Sequence, residues 1–185
     1  MSAIHLLPVG PTDGPLLERL RRGLEDELRV PCILLPHRLD PVSTFHAERQ
    51  QYHSTQILGR MAGFVQDGCW RLLGVTSLDL YMPILTFVFG EAQLTGRCSV
   101  VSWNRLKQEF YGMPADPELL ADRLLKESVH ELGHTLGLTH CQDYACVMAA
   151  SHSVEWIDLK GRFFCRDCAE RTASIIPSRR LFGIF

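Results

Sequence analysis

Residues 130–148 read HELGHTLGLTHCQDYACVM, and the spacing within this stretch decides what the rest of the chain must build. His130 and His134 are four apart, so on a helix both imidazoles leave the same face one turn apart, as two nitrogens gripping one Zn²⁺ require. Glu131 is rotated by about 100° from His130, outside that grip but within reach of a water as general base. On an unbroken helix His140 would lie about 9 Å beyond His134, whereas a shared zinc needs each nitrogen within about 2.1 Å of the metal. The helix must therefore stop and turn back. Gly137 suits that turn, because a glycine just past a helix end takes the left-handed conformation without a Cβ penalty. A pattern HExxHxxGxxH arises by chance on the order of once in 10⁵ chains of this length, which argues against three unrelated core histidines.

A second set of metal ligands begins at the next residue. Cys141, Cys146, Cys165 and Cys168 follow the pattern C-x4-C-x18-C-x2-C, and four clustered thiols ending in CxxC fit a closed tetrahedral structural zinc. Two disulfides or a redox CxxC are the competing readings. No strand precedes CRDC in a βαβ setting, and seven cysteines with no signal-like start predict a reducing cytoplasm. Cys32, Cys69 and Cys98 sit in or beside apolar segments and read as ordinary buried thiols. Neighbouring side chains in an extended segment point to opposite sides, so His140 and Cys141 are expected to face different metals. Two zinc ions per chain are expected: one at the three histidines with a position open to water, one closed by four cysteines.

Upstream, Asp116 and Pro117 suit the first positions of a helix, and apolar residues recur at 119, 120, 124, 125, 129, 132 and 136. The spacing predicts a helix from about 117 to Gly137, carrying His130, Glu131 and His134. At the start of the chain, strand candidates at 3–9 and 32–36 flank a helix marked by Leu16, Leu20, Leu24 and Leu28, a unit that favours parallel pairing. A polar helix is expected over about 46–66, then two strands around a turn at Pro83, and a further strand within 98–106. The 185 residues suit a single domain, with residues 1–137 as the N-terminal part and 138–185 as a small metal-organised part. A net charge of −2 with scattered Lys and Arg gives no footprint for nucleic acid or an anionic membrane. No apolar run approaches the roughly 20 residues of a membrane span. A monomer without nucleic-acid or membrane partners is expected.

HELGHTLGLTHC, followed by CVM and CRDC, resembles the archaemetzincin family of the metzincin clan of zinc peptidases. LGVTSLDLYMP and FVFGEA are similar to that family's segment ahead of the motif, so the likeness spans residues 70 to 170 or so. It implies a zincin-like α/β (α+β) fold: a mixed twisted sheet and two helices, the second bearing the active site, with a small zinc-stabilised C-terminal subdomain. It also implies Met148 beneath the catalytic zinc, the strand around LTFVFGEA along the upper edge of a cleft, and hydrolysis of small peptides. In that chemistry Glu131 takes a proton from a zinc-bound water and later delivers it to the leaving amine. Tyr144 is a candidate for stabilising the oxyanion, with plain packing as its alternative. The rival function is a catalytically silent, metal-bound peptide-binding or scaffold protein; an intact Glu131 favours the enzyme.

Overall fold

The computed structural model describes residues 2–177. Strand β1 (Ala3–Pro8) is buried at every position, as a strand covered on both faces must be. Helix α1 (Gly14–Leu28) starts where the Asp13 side chain accepts the Leu16 N–H at 2.8 Å, and it stops at Arg29 in the left-handed region. Its buried stripe is Leu17, Leu20, Leu24 and Leu28, with Leu16 packed at the margin. The chain then returns as β2 (Cys32–Leu34), parallel to β1.

The main sheet runs in the order β2-β1-β5-β8-β7, with β5 at Cys69–Thr76, β8 at Cys98–Ser102 and β7 at Gly90–Ala92. The first four strands are parallel and β7 is antiparallel, so the sheet is mixed and β7 forms its edge. Helices α1 and α3 (Pro117–Thr135) cover one face, and α2 (Ser54–Met61) covers the other. One core joins α1 and α3 to the segment carrying Cys146, Val147 and Met148. A second lies under Ile57, Leu58 and Met61 of α2.

Two expectations are corrected. Residues 46–66 are not one helix: β3 (Phe45–His46) and β4 (Gln51–His53) form a hairpin whose turn places Gln50 at φ 54°, and α2 follows. The reason is tertiary. Arg49 bonds the carbonyl oxygens of Leu85 and Thr86, and Gln51 bonds Asp79, so the segment's polar groups are satisfied by a distant loop instead of by a helix. The N-terminal part therefore holds three helices. The strand expected after Pro83 shrinks to Gly90–Ala92, because β6 (Leu80–Tyr81) leaves the main sheet to pair with β4 in a small sheet ordered β3-β4-β6. Residues between β6 and β7 become a loop over the cleft.

Helix α3 ends at Thr135, and Gly137 turns the chain at φ +88°. Two short helices follow, α4 (Val154–Leu159) and α5 (Arg166–Thr172). The last eight residues of the expected C-terminal part lie outside the described residues. Among the described residues no helix is long and apolar enough to cross a membrane.

Candidate active site and metal centres

Helix α3 is secured at its start by the Asp116 carboxylate, which accepts the Leu119 N–H at 2.9 Å, and along its length by the core it shares with α1. That rigidity fixes His130, Glu131 and His134. His130 Nδ1 lies 2.8 Å from the Val147 carbonyl oxygen, and His134 Nδ1 lies 2.7 Å from that of Leu138. A carbonyl only accepts, so each Nδ1 carries the hydrogen and each Nε2 presents a lone pair. The two Nε2 atoms face each other at 3.1 Å, a repulsive meeting that a cation between them relieves.

Beyond the helix, the Gly137 N–H bonds His134 O and the Leu138 N–H bonds Gly133 O, folding the chain back. His140 thereby returns, its ring centroid 5.3 Å from that of His130 and 5.2 Å from that of His134. One nitrogen from each of the three lies within 4.8 Å of the others. Burial, helped by the Lys160 ammonium and His134, depresses the His130 pKa well below the ordinary value. Burial also lowers those of His134 and His140. All three are therefore neutral near pH 7, as ligation demands, and three imidazole nitrogens are a donor set suited to zinc.

Glu131 is buried beside them, and burial, then the charge of Glu127, raises its pKa well above the ordinary range. It borders a cleft of about 640 Å³ between β7 with its preceding loop on one side and α3 with the segment after Met148 on the other. Gly90 of β7 explains how the edge strand comes so close: a Cβ there would stand 2.6 Å from Glu131 Cγ and 2.7 Å from Val100 O. The neighbouring Glu91 is held by the hydroxyls of Ser54 and Thr55 at the start of α2. Glu91, Glu127 and Glu131 all line the cleft, and no Lys or Arg does so among the described residues.

Tyr144, the oxyanion candidate, stands apart from the cleft. The residue is 71% exposed and its ring lies 6.1 Å from that of Trp156, away from the cleft lining. The turn that follows Met148 sends Ser151 and His152 into the cleft instead. Sequence reasoning missed both, since nothing in AASHS has a ligand-like spacing. It also missed the glycines Gly90 and Gly133. Met148 is fully buried with its sulfur against Gly133, where a Cβ would collide with Sδ.

The four cysteine sulfurs of the second cluster also lie within 4.8 Å of one another. Cys141 Sγ and Cys165 Sγ are 3.8 Å apart, and Cys146 Sγ accepts the N–H of Cys165 at 3.2 Å and that of Met148 at 3.5 Å. The Cys168 backbone N–H lowers the Cys165 pKa, whereas burial raises those of Cys146 and Cys168. Backbone N–H groups that stabilise thiolates, and four sulfurs without a disulfide among them, fit a metal better than a redox pair. His140 and Cys141 thus belong to separate clusters. Cys32, by contrast, is pushed up to about 12 by burial, as an inert packed thiol should be.

A mixed sheet, a helix offering imidazoles and a carboxylate to a cleft along an edge strand, and a methionine packed behind that helix define a zincin-like metallopeptidase domain. The family model described as Peptidase family M54 matches residues 28–173. The archaemetzincin of Methanocaldococcus jannaschii is 39% identical over 168 residues, covering 91% of each chain. The crystal structure of archaemetzincin from Archaeoglobus fulgidus has a TM-score of 0.79 at 39% identity, over 91% of this chain and 99% of that one. That of a zinc-dependent peptidase from Methanocorpusculum labreanum has a TM-score of 0.83 at 30% identity, with the same coverage. The chain belongs to peptidase family M54 and is a zinc metallopeptidase.

Proposed function

We propose that the chain hydrolyses peptide bonds with one zinc held by His130, His134 and His140 and with Glu131 as general base and acid. A second zinc, held by Cys141, Cys146, Cys165 and Cys168, is structural. The observation that carries the reading is the pair of Nε2 atoms facing each other at 3.1 Å with both Nδ1 atoms committed to carbonyl oxygens, beside a buried glutamate in a cleft. Zinc at the histidines supplies Lewis acidity, making water easier to deprotonate and the scissile carbonyl easier to attack. Glu131 accepts the proton of the attacking water and hands it to the leaving amine.

Strand β7 is bonded on one side only, so its outer edge can pair with an extended peptide by backbone hydrogen bonds. The resemblance to archaemetzincins points to small peptides as substrates. A single domain acting as a monomer, its parts 1–137 and 138–185 meeting after Gly137, is the simplest organisation. The scattered charge argues against nucleic acid, and seven unpaired thiols suit a reducing cytoplasm.

Elemental analysis and peptide hydrolysis together test this. Protein purified without chelator should carry about two zinc ions, of which mild chelation removes one, abolishing hydrolysis until zinc is returned. Glu131→Gln should keep both metals yet lose roughly 10²-fold or more in turnover. Unchanged turnover in that variant, or full activity with a single metal, would sink the reading. A zinc-loaded parent that cleaves no member of a peptide library would favour the silent scaffold.

A further inference from the structure

Beneath the three histidines lies a buried ion pair that the reaction as described does not use. The Lys160 ammonium is 2.8 Å from Glu127 Oε1, and the two side chains are 1% and 4% exposed. The contact is an ion pair without hydrogen-bond geometry at Oε1. Lys160 Nζ also donates to Ala149 O at 3.3 Å and stands 3.4 Å from His130 Nδ1. One ammonium thus touches the active-site helix, the backbone just after Met148 and the first histidine.

The contact with His130 cannot be a hydrogen bond when the imidazole is ready for metal. In that tautomer Nδ1 carries the hydrogen and gives it to Val147 O, and an ammonium has only donors. Two positive ends meet there, and a cation on Nε2 would add to the repulsion. Something must hold the ammonium in place and cancel its charge. Ala149 O and Glu127 do so; Glu127 stands one helical turn before His130.

Fastening α4 to α3 does not need this pair. Arg123 forms a two-pronged bond to Asp158 at 2.7 and 2.6 Å, and Lys126 donates to the carbonyls of Ile157 and Asp158. A buried ion pair is, besides, a poor fastener, because apolar residues of similar volume commonly serve stability as well or better. The distinctive property of Lys160 is where its charge sits.

We infer that Lys160 and Glu127 are a charge-balanced positioning pair for the three-histidine metal, an inference that rests on the reading of that site given above. Lys160 holds the backbone after Met148, so that the nearby Val147 O takes the His130 Nδ1 hydrogen and Nε2 is aimed at the metal. Glu127 removes the electrostatic penalty of an ammonium beside a metal ligand. Both are positioning residues, since neither needs to touch substrate.

Cobalt(II) titrated into protein stripped at the histidine site measures the effect without any turnover. Glu127→Gln, which leaves the ammonium uncompensated, should weaken metal by about tenfold or more. Lys160→Met combined with Glu127→Gln removes both charges at similar volume and should recover most of that affinity, while its cobalt absorption spectrum stays shifted because Val147 O is no longer held. The double change Arg123→Met, Asp158→Asn removes a neighbouring pair that joins α3 to α4 and should leave affinity and spectrum as in the parent. Parent-like affinity in Glu127→Gln, or an equal loss in the Arg123 control, overturns the positioning pair. A parent that binds no cobalt at the histidines overturns the three-histidine reading itself, and this inference with it.

Discussion

The two ligand clusters meet at the peptide bond between His140 and Cys141, yet they are built in opposite ways. Two histidines stand on a 19-residue helix that is capped, packed along one stripe and tied to backbone carbonyls at both imidazoles. The four cysteines come from an isolated bridge at Cys141, a turn at Cys146, and the approach to and first turn of the seven-residue helix α5. Burial of apolar surface shapes the first cluster before any metal arrives. The second has little regular structure to shape it; on the proposed reading the free energy of metal binding would serve there as folding free energy. The difference teaches that an open reactive site needs a rigid scaffold, whereas a closed site can itself be the scaffold.

The largest expected effect breaks this contrast at its softer side. Cys146→Ser removes a buried sulfur that accepts two backbone N–H groups, and should leave residues 141–177 open to proteolysis while the sheet and α3 persist. Because the same segment supplies Val147 O and Met148, metal at the histidines should weaken too. Cys32→Ser, in an ordinary packed position, should change neither metal. Histidine-site affinity in Cys146→Ser equal to the parent's would show the two clusters to be independent.

The rigid side is probed by Gly90→Ala. The new Cβ would press on Glu131 and on the Val100 carbonyl. Displacing a reacting group by about 1 Å can cost about 10²-fold in rate, so turnover should fall by that order with zinc content unchanged. Steady-state kinetics beside metal analysis decide it; a variant as fast as the parent would mean the close approach is incidental.

Acidification gives a smaller, graded effect. His130 has a folded-state pKa below its unfolded value near 6.5, so below that pH the unfolded chain binds the extra proton and stability falls. The contribution of His130 to this slope is at most about 1.4 kcal/mol per pH unit. Glu131, whose pKa burial raises, acts in the opposite direction over the same range, so denaturant titrations of metal-stripped protein between pH 7 and pH 5 are compared with those of His130→Asn: the parent should lose more stability on acidification than the variant, and equal slopes would contradict the burial of a neutral His130. The smallest effect is at Tyr144. Exposed and turned to Trp156, it should tolerate Tyr144→Phe with kinetics indistinguishable from the parent, and a substantial loss would return it to the oxyanion role.

How much of the site was legible depended on how local each feature is. The His130–His134 pair, the cap at Asp116 and the turn at Gly137 follow from neighbours a few residues away, and the structure has them where the spacing puts them. The hairpin at 45–53 was not legible, because the partners of Arg49 and Gln51 lie some 30 residues downstream. The sequence left Tyr144 open between two roles for a related reason: closeness to Met148 in sequence says nothing about which way a turn faces.

The sequence by itself determined the ligand types, their helical spacing, the break after α3 and the membership of His140 and Cys141 in separate clusters. All of these are consequences of backbone periodicity and donor chemistry. Only the tertiary structure decided that Gly90 lies against Glu131, that Ser151 and His152 enter the cleft, and that Lys160 meets Glu127 beneath His130. Those contacts join segments tens of residues apart. They are set by how sheet, helix and C-terminal turn pack together, and no period or motif in the chain records that packing.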